Sequence, residues 1–86
     1  MSVAVFADNL PTHLTQRELE QFFAPFHPLR VILATHRSGR CLGFGFVLFA
    51  SREAADQARR LDGASLKGSV IRLSDGLLPE ERVEVA

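Results

Sequence analysis

The 86-residue sequence has no tryptophan, no tyrosine, a single cysteine and no net charge, with ten basic and ten acidic side chains. Each shortage excludes something. One cysteine, Cys41, cannot form an internal disulfide framework or a Cys-x-x-Cys metal or redox motif. It fits a reducing compartment, nuclear or cytoplasmic, rather than secretion. No stretch approaches the ~20 consecutive apolar residues of a membrane-spanning helix, so no membrane role is expected. The opening Met1–Phe6 lacks the charged head of a signal peptide. His13, His27 and His36 have neither ligand spacing nor acidic or cysteine companions, so neither a metal nor a cofactor is expected. No nucleophile stands with a base, and no carboxylate pair or phosphate-cradling loop is visible. The reading is therefore not an enzyme. The zero charge also speaks against a uniformly basic nucleic-acid binder.

What is present is apolar material. Hydrophobic residues make up 47% of the chain and seven are phenylalanine. This excludes a disordered composition. The length suits one domain, which at this size buries only about 60–65% of its unfolded surface and so needs a well-patterned core. Charge is unevenly placed. No Asp or Glu occurs between Gln21 and Arg52, where Arg30, Arg37 and Arg40 lie with two histidines. From Asp75 onward the balance reverses, with Glu80, Glu81 and Glu84 against Arg82. The expected organisation is a domain over residues 1–75 followed by an acidic tail over 76–86.

Six elements follow in order. Val3 to Ala7 is short and β-prone. Thr15 with Glu18 three residues later forms a capping-box pattern, and Leu19, Phe22 and Phe23 make one helix face. Pro25 and Pro28 stop that helix. Leu29 to Thr35 is a second strand and Ser38-Gly39 a turn. Phe44 to Phe49 is a third strand. Ser51 caps a second helix carrying Ala54, Ala55, Ala58 and Leu61, and Gly63 closes it. Val70 to Leu73 is the expected fourth strand. The order β-α-β-β-α-β predicts an α+β, ferredoxin-like sandwich: a four-stranded antiparallel sheet with two helices on one face.

Strand side chains alternate between faces. Val47 and Phe49 suit a core under the helices, which turns Phe44, Phe46 and Leu48 to the open face. Val5 and Ala7 likewise suit the core, which turns Phe6 outward. Three phenylalanines on one open face form a platform on which bases can stack, each worth ~1–3 kcal/mol. A one-residue slip in register would instead bury them.

On these residues the chain resembles the RNA-recognition-motif family. Val5-Phe6-Ala7-Asp8-Asn9-Leu10 is similar to its hexamer motif. Leu42-Gly43-Phe44-Gly45-Phe46-Val47-Leu48-Phe49 is similar to its octamer, and this glycine–aromatic alternation is the more specific signal. The resemblance spans about Val3 to Ser74. It implies single-stranded RNA as the partner of a monomeric domain, in RNA processing or a ribonucleoprotein complex. It implies that Phe6 and Phe46 each stack on a base and that Phe44 lies against the sugars. It further implies RNA contacts from Arg37 and Arg40 in the loop after the second strand. Arg72, alternating with Ile71 and Leu73, reaches the open face, toward RNA or a neighbouring ring.

Some positions depart from the family pattern. Leu42 stands where the octamer opens with Arg or Lys. Asp8 adds an acid beside the platform, His27 replaces a usual glycine, and Leu33 and Leu48 are expected to face outward. These departures support an alternative, a protein-interaction module whose partner meets the sheet face or the helices. Asn9 is expected to hold the turn after the first strand, Lys67 to be a plain surface lysine, and Cys41 an incidental surface or half-buried thiol. The tail could be disordered, or could fold back over the open face with its acids in place of phosphates.

Overall fold

The computed structural model describes residues 2–76. Strand β1 (Val3–Asp8) leads to helix α1 (Gln16–Phe23), then to the adjacent strands β2 (Arg30–Thr35) and β3 (Cys41–Phe49). Helix α2 (Arg52–Ala58) follows. Two short strands, β4 (Ser65–Leu66) and β5 (Ser69–Val70), pair with each other, and β6 (Arg72–Gly76) completes the main sheet. That sheet has the order β2-β3-β1-β6, antiparallel throughout. This is the ferredoxin-like α+β fold expected from the sequence.

Both helices start where their caps place them. Thr15 is the N-cap of α1: its hydroxyl accepts from the Glu18 N–H at 3.1 Å, and Glu18 Oε1 accepts from the Thr15 N–H at 3.0 Å. Such a cap contributes about 1 kcal/mol. Ser51 accepts from the Ala54 N–H at 3.2 Å at the start of α2. Helix α1 ends at Phe23 and passes into a 3-10 turn, Ala24–Phe26, that contains Pro25. That turn closes on His27, whose φ of +54° lies in the left-handed region. A glycine meets that requirement at least cost, which accounts for the residue most usual at this position and makes His27 a strained substitute.

The core lies between the sheet and the helices. Val5, Ala7, Val47 and Phe49 from the sheet meet Leu19 and Phe23 of α1 and Ala55 and Ala58 of α2, all buried. Cys41 belongs to this core at 1% exposure, which corrects the surface or half-buried placement. Leu33 is also in the core at 7% exposure, opposite Gly45, and so does not face outward. Ile32 does instead, at 38% exposure. The strand is apolar on both faces, so hydrophobic alternation could not distinguish the two.

The last strand also differs from expectation. Val70 ends the small β4–β5 ladder, and β6 begins at Arg72 and runs to Gly76. Between β4 and β5 the loop Lys67-Gly68 has φ of +50° and +91°, both positive. That is the requirement of the tight hairpin turn whose twist matches its strands.

Both sheet edges are closed by side chains. Gln16 lies against β2, its amide donating to Val31 O at 2.6 Å and accepting from Leu33 N–H at 3.0 Å. Asp62 Oδ1 accepts from Leu73 N–H on β6 at 2.7 Å. Unpaired edge groups invite pairing with other chains, and these contacts blunt both edges.

Candidate nucleic-acid interface

The sheet face away from the helices is built in rows, because cross-strand partners share a face. One row runs Arg72, Asp8, Phe44 across β6, β1 and β3. The next runs Ser74, Phe6, Phe46, Ile32. The third runs Gly76, Ala4, Leu48, Arg30. The alternative register, with the phenylalanines in the core, does not occur.

The three rings form one continuous surface. Phe6 lies 5.2 Å from Phe46 and 5.9 Å from Phe44 between ring centroids, with planes tilted by 53° and 38°. These separations fall within the range of favourable aromatic pairs. All three are partly exposed, unlike the fully buried Phe23 and Phe49. Gly45 is next to Phe46 on the opposite face. A Cβ there meets Ile32 O at 2.6 Å, closer than contact allows, so glycine lets β2 approach β3.

Asn9 anchors the end of β1. Its φ is +61°, and its side-chain amide donates to Val70 O at 2.6 Å. The turn role expected for it is the one the geometry displays. Gly43, with φ of +94°, occupies an irregularity in the β2–β3 pairing, and its carbonyl accepts from Leu10 N–H at 2.9 Å.

Cationic groups border the platform unevenly. Arg72 is on the open face, 72% exposed along its side chain, with Nε 3.5 Å from Asp62 Oδ1. Its partner is thus a carboxylate rather than a ring. Arg37 and Arg40 are exposed in the loop joining β2 to β3. This loop is tightened by His36 N–H to Arg40 O and by Gly39 N–H to His36 O, both 2.8 Å. It leaves the sheet at the Phe44 end of β3. The structure therefore gathers Phe6, Phe44, Phe46 and Arg72 on one face and sets Arg37 and Arg40 beyond one end of it.

The model of the RNA recognition motif family matches residues 5–72. The chain belongs to the RNA recognition motif family. Nucleolin 1 of Oryza sativa subsp. japonica is 41% identical over 73 residues, covering 84% of this chain and 13% of that protein. The putative RNA-binding protein RbpE of Nostoc sp. is 36% identical over 83 residues, covering 93% of this chain and 84% of that one. The chain spans only 8–13% of the length of three of the curated relatives it matches. Among solved structures, the first two domains of the yeast poly(U)-binding protein match with a TM-score of 0.80 at 24% identity, covering 90% of this chain and 48% of that one. At that identity the likeness concerns the fold.

Within this RNA-recognition-motif domain, two further residues lie on the open face that no motif in the sequence marks as contacts. Ile32 stands beside Phe46, and Arg30 stands opposite Leu48. The exposed Arg30 starts β2 on the same face as Ile32, but the aliphatic run from Val31 to Leu33 offers no alternation from which to read that face. Leu42, at the first octamer position, is 52% exposed and brings no charge to the platform. Among the described residues no cluster of three or more His, Cys, Asp or Glu side chains has the grouping of a metal site.

Proposed function

We propose that this domain binds single-stranded RNA on its open sheet face, as a monomer, in RNA processing or a ribonucleoprotein complex of the nucleus or cytoplasm. One observation carries the reading. The Phe44 and Phe46 rings lie 5.9 and 5.2 Å from the Phe6 ring, and all three are partly exposed on the sheet face opposite the core. Phe6 and Phe46 each stack on a base and Phe44 lies against the ribose between them. Arg72, Arg37 and Arg40 contribute phosphate or base-edge contacts. RNA-binding names among the relatives agree with this.

The affinity is modest. Leu42 supplies no charge and Asp8 repels phosphate. Salt dependence is therefore shallow, since each phosphate contact on a single strand adds only about 0.7 to the logarithmic slope. The test is an amide NMR titration with a short degenerate single-stranded RNA, on wild type and on Phe46→Ala. Shifts gathered at Phe6, Phe44, Phe46 and the Arg37–Arg40 loop, absent in the variant, support the reading. No shift at near-millimolar RNA overturns it.

A second reading has its own observation. Ile32 and Leu42, at 38% and 52% exposure, add aliphatic surface to the sheet around the rings. That surface suits a protein partner, and it is where the partner belongs if RNA fails to bind.

A further inference from the structure

In the Phe6 row and in the neighbouring row through Phe44, the polar groups lie on β1 or toward β6, while Arg30 stands one row away on the β2 side. Toward β2, Phe6 is followed by Phe46 and Ile32. Toward β6 its neighbour is Ser74, with Arg72 diagonal to it and Asp8 two residues along its own strand. Adjacent strands lie about 4.8 Å apart, and residues two apart on one strand about 6.7 Å. The edge of a base lying on Phe6 and turned to β6 is thus within reach of Ser74, Asp8 and Arg72.

Asp8 is the unexpected member. It is exposed, and its Oδ1 accepts from the Asn9 N–H at 2.8 Å, which holds the carboxylate in place. Among the described residues no Lys, Arg or His nitrogen lies within 4.0 Å of it; Arg72 pairs with Asp62. An uncompensated acid weakens any surface that meets phosphates. A carboxylate is an acceptor only, with two oxygens and about four lone-pair sites, most of them free here.

The four bases answer that acceptor differently. Guanine alone presents two parallel N–H donors, N1–H and the 2-amino group, on one edge, matching both oxygens of a carboxylate. Adenine and cytosine present an amino group beside an acceptor nitrogen, and uracil a single imino N–H between two carbonyls. Arginine is complementary to guanine O6 and N7, and Arg72 stands directly across from Asp8. We infer that Asp8, with Arg72 beside it, selects guanine for the nucleotide at the β6 side of Phe6. This inference rests on the RNA-binding reading above and names the base that the same face prefers.

The test uses four-nucleotide RNA pools, one position fixed as G, A, C or U and the others random, with each position fixed in turn. Dissociation constants are measured for wild type, Asp8→Asn and Phe46→Ala, and the Asn9 amide is followed by NMR. A bidentate base contact discriminates about 5- to 150-fold, and an open site belongs at the lower end. At one position the guanine pool binds about 5- to 20-fold more tightly than the uracil pool and shifts the Asn9 amide. Asp8→Asn keeps an oxygen for the Asn9 N–H, so the turn survives. It brings the four pools within about twofold of one another.

A guanine preference that survives Asp8→Asn overturns the inference. So do equal affinities for all pools in wild type; if Phe46→Ala still abolishes binding, the RNA-binding reading stands without it. If no pool binds, both fall.

Discussion

Lys67 Nζ lies 2.7 Å from Glu18 Oε2, joining the turn of the β4–β5 hairpin to the first turn of α1. Glu18 thereby serves two partners, since its other oxygen completes the capping box with Thr15. The lysine is not a plain surface residue but a tie between segments 49 positions apart.

This pair has a pH signature. The Lys67 hydrogen bond, reinforced by the one from the Thr15 backbone, lowers the Glu18 carboxyl below its ordinary value of 4.5. A carboxyl lowered by folding contributes stability above the unfolded value, and that contribution disappears as pH falls through the folded one. Urea unfolding of wild type and Glu18→Gln should therefore differ most at neutral pH and converge as pH falls from 4.5 through the lowered folded-state value. A difference that does not shrink on acidification refutes the assignment.

The platform and the core should separate cleanly under mutation. Phe46→Ala should cost about 1–3 kcal/mol of RNA binding, the worth of one stacked base, with a smaller effect on stability. Phe49→Ala, three residues along the same strand but fully buried, should cost about 3–5 kcal/mol of stability. Parallel denaturation and binding curves for the two variants give the comparison.

Gly45 is a steric requirement. Gly45→Ala drives a Cβ to 2.6 Å from Ile32 O, which forces β2 away from β3. The expected loss is about 1–3 kcal/mol, in the range of other overpacking substitutions. Chemical denaturation measures it, and a neutral result means β2 yields freely.

His27→Gly should stabilise. The left-handed φ of +54° costs a residue bearing a Cβ about 1–2 kcal/mol. Part of the gain is offset by the greater freedom of glycine in the unfolded chain. A net gain of about 0.5 kcal/mol in denaturation free energy is expected; destabilisation instead assigns His27 a contact that its backbone geometry does not reveal.

Gln16→Ala should loosen the β2 edge. It removes the two hydrogen bonds to Val31 O and Leu33 N–H, each worth about 1 kcal/mol net. Hydrogen exchange at the Leu33 amide should quicken more than at Val5 in the sheet interior, and sedimentation should detect more self-association at high concentration. Equal protection in both proteins excludes the edge-guarding role.

Much of this was legible in the residues themselves. Capping pairs, prolines and period-two alternation placed two helices and three strands, because those signals are local. Phe6, Phe44 and Phe46 could be assigned to one face because Val5, Val47 and Phe49 could only be core. Leu33 and Ile32 could not be sorted the same way, since alternation carries no information where both faces take aliphatic side chains. Val70 and Arg72 read as one strand in the sequence because the break at Ile71 carries no glycine or proline. Of the tail expected over residues 76–86, Gly76 belongs to β6; residues 77–86 lie outside the described residues, and so does the suggested return over the open face.

The sequence by itself determined the order of elements, the side of the sheet on which the aromatics lie, and the family, all through short-range patterns of polarity and turn chemistry. Only the tertiary structure decided which distant groups meet: Gln16 against β2, Lys67 against Glu18, Asn9 against Val70, and Asp8 between Arg72 and Phe44. Those meetings depend on strand register and on the docking of helices, and register is set by the sum of many weak cross-strand contacts rather than by any one residue. The edge of the platform therefore belongs to the fold.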